Sequence, residues 1–282
     1  IGFDFSLMSS AQAAMGNNTT SMTPLENPEI GIWVVVKPND DVVVRIARSE
    51  MGQGTITGLA QMVAEELECD WKKVSYEYPS PSENLKRKLA WGSFSTGGSR
   101  GIRTSEQYVR KGGAAARMML VQAAATQWNV PVSECVAKDS VITHVPTGRK
   151  VTFGKVSVAA SQLEVPKDIV LKDPKDWKII GKSVDRIDGV ADKVTGKQIY
   201  AIDLKFPGML VATIKESPVF GGKVKSFDAA KAMSMKGVKK VVQVGDTAVA
   251  VVADTFWQAK TAMDNVSIVW DSGPNANVSS AS

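Results

Sequence analysis

Cysteine and histidine are scarce in this chain. Its 282 residues hold two cysteines, Cys69 and Cys135, and one histidine, His144. The cysteines lack C-x-x-C spacing, which excludes a zinc site or an iron–sulfur cluster held by this sequence alone. Two buried free thiols, or one disulfide in an oxidising compartment, remain open. His144, in a Thr-His-Val-Pro context, reads as polar loop surface. No apolar run reaches the ~18 residues that a membrane span needs. Neither a Walker A sequence nor Gly-x-Gly-x-x-Gly is present, which argues against the usual nucleotide folds. There is no internal repeat. The formal net charge is +5, but Lys and Arg are dispersed. The densest run, Lys86-Arg87-Lys88, lies beside Pro and Ser and reads as a solvated loop. No RNA-binding or zinc-finger signature accompanies it, so nucleic acid is not expected as a partner.

What is present is ordinary globular material. Hydrophobic residues make up 44% and charged residues 22%, enough for one large or two ordinary domains. Ile1 is not an initiator methionine, and Ala11-Gln12-Ala13-Ala14 is similar to the trailing end of a leader. The Asn/Ser/Ala-rich stretch 273–282 reads as a cut tail. Both ends are therefore expected to be truncated. Residues 1–28 read as an extended arm.

Ile32–Val36 and Val42–Ile46, with the turn Pro38-Asn39-Asp40-Asp41 between them, predict a hairpin. Ile56, Leu59, Val63 and Leu67 recur at helical spacing. Val74–Tyr78 reads as a strand and 79–90 as a long polar loop. A helix is predicted over about Thr104–Asn129, with Val109, Ala116, Leu120 and Ala124 on one side and alanines that imply close packing. Short strands with a Thr147-Gly148 turn fill Ser133–Phe153, and a small helix Lys155–Ser161 follows. Residues 162–180, with Pro166 and Pro174, read as a linker crossing a surface. Beyond it Ile199–Asp203, Met209–Ile214, Val238–Val244, Ala248–Ala253 and Val266–Trp270 are β-rich. Helical stretches near Asp228–Met235 and Phe256–Asn265 interleave with them. The domain boundaries that follow are 29–161, a 162–180 linker and 181–272.

Two places have the makings of a binding site. In Met51-Gly52-Gln53-Gly54-Thr55, two glycines flank a glutamine just before a helix. Glycine lets backbone approach a ligand closely, and the helix start offers N–H groups and a positive dipole end to an anion. A plain strand–turn–helix connection explains this turn as well. In Ser95-Thr96-Gly97-Gly98-Ser99-Arg100-Gly101, hydroxyls, bare backbone and an arginine suited to phosphate oxygens gather before the long helix. Thr104 and Ser105 there read as ordinary N-caps. Two anion-ready helix starts point to one extended ligand with several phosphates or polar heads. An unrelated nucleotide-binding protein remains an alternative.

Ser49-Glu50-Met51-Gly52-Gln53-Gly54, followed by a helix, resembles the Glu-Met-Gly-Gln-Gly motif of molybdopterin hydroxylase large subunits. These belong to the xanthine dehydrogenase/aldehyde oxidase family. Thr96-Gly97-Gly98-Ser99-Arg100, then an Ala-rich helix, matches that family's cofactor-holding Gly/Ser segment. Ile180-Gly181-Lys182, Asp192-Lys193-Val194-Thr195-Gly196, Tyr200-Ala201-Ile202-Asp203 and Pro207-Gly208-Met209-Leu210 resemble its α/β hammerhead domain. Here the cofactor segment precedes the hammerhead. That order is similar to the family branch of the isoquinoline 1-oxidoreductase β-subunit, with its membrane-associated aldehyde dehydrogenases and nicotinate dehydrogenases.

The resemblance implies an α+β chain: a molybdopterin-binding segment followed by a hammerhead domain. It implies that Met51, Gly52, Gln53, Gly54, Thr96, Gly97, Gly98, Ser99 and Arg100 contact the cofactor, in bacteria a molybdopterin cytosine dinucleotide with molybdenum. The implied reaction oxidises an aldehyde or an N-heterocycle with oxygen from water. Electrons leave through [2Fe-2S] clusters on a small subunit and a haem c on a cytochrome c subunit. The implied location is the periplasm, at the inner membrane through partners. The family's catalytic glutamate lies near the C-terminus of the full subunit in a Gly-rich motif absent here. No catalytic residue and no metal ligand is therefore expected in this chain, and Glu50 belongs to the cofactor loop. The rest of the large subunit is expected as a partner. A cofactor-less assembly or binding module of the same fold is the alternative.

Overall fold

Continuous valine runs decide the first sheet. The computed structural model describes residues 28–280; the proposed arm and leader remnant lie outside them, save Pro28. Strand β1 (Glu29–Ile30) pairs antiparallel with β2 (Val34–Val36), and β2 with β3 (Val42–Arg45). Every residue of β2 and β3 is buried. That is why the strands read as unbroken apolar runs rather than alternating ones. Helix α1 (Thr55–Leu67) then crosses over to β4 (Val74–Glu77), which lies parallel to β3. A parallel neighbour requires such a crossover.

The predicted polar loop 79–90 contains a short helix, α2 (Pro81–Lys86), capped by Ser80, whose Oγ accepts from the Glu83 N–H at 3.1 Å. Nor is the basic run simply solvated. Arg87 pairs with Glu29 at 2.5 Å and Glu83 at 2.8 Å, and lies over the Trp91 ring. A one-turn helix, α3 (Arg100–Arg103), precedes the long helix α4 (Glu106–Trp128). The long helix starts later than the sequence implied. Thr104 ends α3, and Ser105 stands at the N-cap of α4 without a side-chain cap bond.

Helices α1 and α4 pack closely. A Cβ added at Gly113 would stand 2.5 Å from the Val63 carbonyl oxygen, so only glycine permits this approach. The buried alanines Ala116, Ala123 and Ala124 continue the thin face, as predicted. Strands β5 (Cys135–Lys138), β6 (Val141–His144) and β7 (Lys150–Thr152) form an antiparallel sheet, followed by α5 (Phe153–Ser161). His144 is not loop surface. It ends β6 opposite Cys135 and is 3% exposed, bonded to Thr147 Oγ1 at 2.6 Å and Glu134 Oε2 at 2.8 Å. Cys69 and Cys135 are both buried and unpaired.

Residues 162–180 hold one 3-10 turn, Pro174–Asp176, and are tied down by two buried glutamates on α1. Glu65 accepts from the N–H groups of Lys178, Ile179 and Ile180 at 2.7, 2.5 and 3.1 Å, and from the Lys172 ammonium. Burial pushes its pKa up, but those bonds outweigh burial and hold it below the usual carboxylate range. Glu66 takes Arg110 at 2.8 Å and the Lys172 N–H at 3.0 Å. Buried charge of this kind persists only when fully paired.

The chain divides into two compact units after Gln198. Residues 179–187 belong to the first unit. Gln61 Nε2 donates to the Ile179 and Lys182 carbonyls, Trp71 Nε1 to the Asp185 carbonyl, and Ile187 N–H to Thr57 Oγ1. A short helix, α6 (Val190–Val194), follows.

The second unit has antiparallel sheets. Strand β11 (Ala248–Ala253) lies between β10 (Val238–Val244) and β8 (Val211–Glu216). A separate ribbon pairs β9 (Lys223–Asp228) with β12 (Ser267–Asp271). Helices α7 (Ala230–Met233) and α8 (Phe256–Met263) complete it. Val249, Val251, Ala232, Ala262, Met263 and Val266 form its core. The strand predicted at Ile199–Asp203 is instead a 3-10 turn, closed by Tyr200 N–H to Asp203 Oδ2 at 3.0 Å.

Candidate functional site

The two glycine turns, far apart in sequence, are neighbours in the fold. Ser49 N–H donates to Thr96 Oγ1 at 2.9 Å. The Arg48 guanidinium ties both sides together. Its Nη1 donates to the Ser95 carbonyl at 2.5 Å and the Ser93 carbonyl at 3.3 Å, Nε to Ser105 Oγ at 3.0 Å, and Nη2 to Thr104 Oγ1 at 3.3 Å. The hydroxyls read as helix caps are thus acceptors for Arg48. Gly101 lies against Thr55: a Cβ there would stand 3.1 Å from Thr55 Oγ1. One arginine and one threonine hold the two turns in register.

The first turn is closed on itself. Gly52 and Gly54 have φ of 100° and 78°, values that favour glycine. Glu50 Oε1 accepts from the Gly52 and Gly54 N–H groups at 2.8 and 2.9 Å, and Oε2 accepts from Ile56 at 3.2 Å. Gln53 Oε1 accepts from Met51 N–H at 2.6 Å, and its Nε2 donates to the Ser49 carbonyl at 2.8 Å. Three of the donors that the sequence promised to an outside anion, those of Gly52, Gly54 and Ile56, are engaged by Glu50. Met51 is 69% exposed, and Gly52 and Gln53 are exposed beside it.

The second turn is open. Gly98 and Ser99 both have positive φ, 58° and 53°. Among the described residues no acceptor takes the backbone N–H groups of Gly97, Gly98 or Ser99. A Cβ at Gly97 or Gly52 would meet nothing within 4 Å. Arg100 and Arg103 fold over this turn, donating to the Gly97 and Gly98 carbonyls at 3.3 Å each.

Sequence reasoning missed Arg48, Tyr78, Arg186 and Asp188. Tyr78 hydroxyl accepts from the Glu50 N–H at 3.0 Å, and burial raises its phenol pKa. A Cβ at Gly54 would lie 3.8 Å from Arg186 Nη2. Arg186 is held by buried Asp188, which also pairs with Lys193 at 2.9 Å. The Arg186 hydrogen bond holds the Asp188 carboxyl at about 2; burial opposes it and Lys193 adds to it. Arg48 sits just upstream of the glycine turn, but nothing local marks its reach. Arg186 approaches from a segment more than a hundred residues away.

The model of the molybdopterin cofactor-binding domain family matches residues 8–189, which include both turns. This chain belongs to that family. Over 94% of its length it is 28% identical to the beta subunit of isoquinoline 1-oxidoreductase from Brevundimonas diminuta, covering 38% of that protein. Over 88% it is 29% identical to a membrane-bound aldehyde dehydrogenase of Gluconacetobacter polyoxogenes, whose name carries pyrroloquinoline quinone, covering 33% of it. A nicotinate dehydrogenase subunit of Pseudomonas putida is 26% identical over 88% of this chain and 21% of its own length. The chain thus spans well under half of each of these relatives.

The residues of this molybdopterin cofactor-binding domain fit such a ligand. Bare backbone at Gly52 and Gly97 leaves room for it. Three N–H groups at 97–99, without an acceptor among the described residues, and the guanidinium groups of Arg100 and Arg103 beside them, suit an oxidised phosphorus group.

Proposed function

We propose that this chain is the N-terminal part of the molybdenum-cofactor-binding subunit of a hydroxylase or dehydrogenase. It oxidises an aldehyde or an N-heterocycle with oxygen from water. The observation that carries this reading is the stapling of two glycine turns side by side, one rigid and one with open donors. The names of the relatives, two for N-heterocycles and one for an aldehyde, support the substrate pair.

Bound here, the cofactor supplies two-electron redox chemistry at molybdenum. The chain's own residues bind and orient it. The N–H groups of Gly97, Gly98 and Ser99, with Thr96 and Arg100, take its anionic portion. Gly52 and Gly54 let its ring system approach the backbone, and Met51 and Gln53 border it. Glu50 is not the base that moves the substrate proton, because both its oxygens accept from backbone N–H groups. That base lies in the remaining C-terminal part of the large subunit. The same reading assigns a cytosine dinucleotide form of the cofactor, a small subunit with [2Fe-2S] clusters, a cytochrome c subunit with haem c, and a periplasmic site at the inner membrane. Residues 199–272 then form the larger part of the hammerhead domain.

The test is native mass spectrometry with metal analysis on complexes purified through a tag on this chain. The expected result is about one molybdenum per complex, with further subunit mass and an iron–sulfur partner. Gln53→Ala and Gly98→Val are each expected to lower the molybdenum content. Full occupancy in both variants overturns the assignment of the turns. A well-folded, metal-free chain running alone would make it a cofactor-less module, and pyrroloquinoline quinone without molybdenum would also overturn the reading.

A further inference from the structure

Glu50 has an unusual place for a carboxylate in a binding loop. It lies four residues before Gly54, the N-cap of α1, which itself has no side-chain cap. Its two oxygens take three backbone N–H groups, those of Gly52, Gly54 and Ile56. Helix starts leave their first N–H groups unpaired and carry a positive dipole end. A carboxylate accepting several backbone N–H bonds there satisfies both needs. Glu50 is itself fixed from outside the loop by the Tyr78 hydroxyl, which accepts from its backbone N–H. On the other side of the turn, Gln53 is clasped at both ends of its amide, to Met51 and Ser49. The Glu50 bonds and the Gln53 clasp specify one conformation for a turn whose two glycines would otherwise be free.

We propose that Glu50 is the positioning residue of this site, a built-in anion that fills the start of α1 and so sets the Gly52-Gln53-Gly54 turn and Gln53 in place. It follows that an outside phosphate does not bind at Gly52 and Gly54, and that the anion-accepting donors are those of the 97–99 turn. That Gln53 then faces a molybdopterin rests on the function proposed above; the role of Glu50 within the turn does not.

The 282-residue chain labelled with 15N-glycine tests this, with inorganic pyrophosphate as the probe. In the wild type, pyrophosphate leaves the Gly52 and Gly54 amide resonances in place. In Glu50→Ala it moves both, because three N–H groups have lost their anion, and added formate returns them to their wild-type positions. Wild-type Gly52 and Gly54 resonances that move with pyrophosphate overturn the proposal; so do Glu50→Ala resonances that ignore both anions. If Glu50→Ala does not fold, Glu50→Gln retains one acceptor oxygen and the shape. Its Gly52 and Gly54 resonances then move from wild type, and unchanged resonances overturn the proposal. In the assembled enzyme, Glu50→Ala is expected to lose molybdenum content about tenfold, as loss of a group that orients a binding residue typically does, with recovery in formate. Molybdenum absent from the wild-type complex defeats the functional reading alone and leaves the glycine resonances to judge Glu50.

Discussion

Both glycine turns leave the backbone at positive φ just before a helix, at Gly52 and Gly54 in one and at Gly98 and Ser99 in the other. The difference is in where their N–H groups point. The first turn has Glu50 upstream and folds its donors around that carboxylate. The second has no acidic residue in the turn, only hydroxyls and arginines, and its donors at 97–99 find no acceptor among the described residues. The first is therefore closed around a carboxylate, and the second keeps N–H groups without an acceptor among the described residues. Similar composition gives opposite character because one side chain of the right charge stands within reach.

The largest expected effect comes from removing the ground on which both turns stand. Gly113→Val places a side chain where the Val63 carbonyl already is. Overpacking of this kind costs roughly 3 kcal/mol, so thermal melting should show a lower midpoint and both turns should lose protection from hydrogen exchange together. A smaller effect separates the turns without unfolding the helices. Arg48→Ala deletes the bonds to Ser95, Ser105 and Thr104, and loss of charged hydrogen bonds costs about 2 kcal/mol. Limited proteolysis should then cut within 93–104 while the 49–54 turn keeps its protection. Equal resistance at both turns would mean that Arg48 does not hold them in register.

Gly98→Val acts on the open turn alone. A non-glycine residue at φ 58° is strained by about 1–2 kcal/mol. Urea denaturation should show a loss of that size, and the molybdenum content of the complex should fall by more than stability explains. The smallest effect disappears in acid. Asp188 has a carboxyl at about 2 in the fold against an ordinary 3.8, because Arg186 bonds to its ionised form. Its contribution to stability is whole above 3.8 and drains away as pH falls toward 2. Asp188→Asn should lower stability at neutral pH, where the contribution is whole, and flatten the acid-denaturation curve between 3.8 and about 2. An unchanged curve would show that Asp188 does not anchor Arg186 beside the first turn.

Much of the fold was legible in local pattern. The valine runs, the spacing of Ile56, Leu59, Val63 and Leu67, and the alanine-rich face of α4 all appear as read. Strand β9, Lys-Val-Lys-Ser-Phe-Asp, escaped because its lysines cover an exposed face and only Val224 and Phe227 are half-buried. Ile199–Asp203 looked β-rich by composition, yet Asp203 turns back to the Tyr200 N–H and closes a 3-10 turn. His144 looked like surface because its neighbours are turn residues, while its burial comes from pairing with β5.

By itself the sequence determined the two glycine turns, the helix behind the first and the long helix after the second, since backbone freedom and apolar periodicity are local properties. Their joining through Thr96 and Arg48, the capture of the first turn by Glu50, and the arrival of Arg186 were decided only by the tertiary structure. Hydrogen bonds between residues tens or hundreds of positions apart depend on where the β3–α1–β4 crossover and the α1–α4 contact put the chain. No single stretch of sequence carries that information.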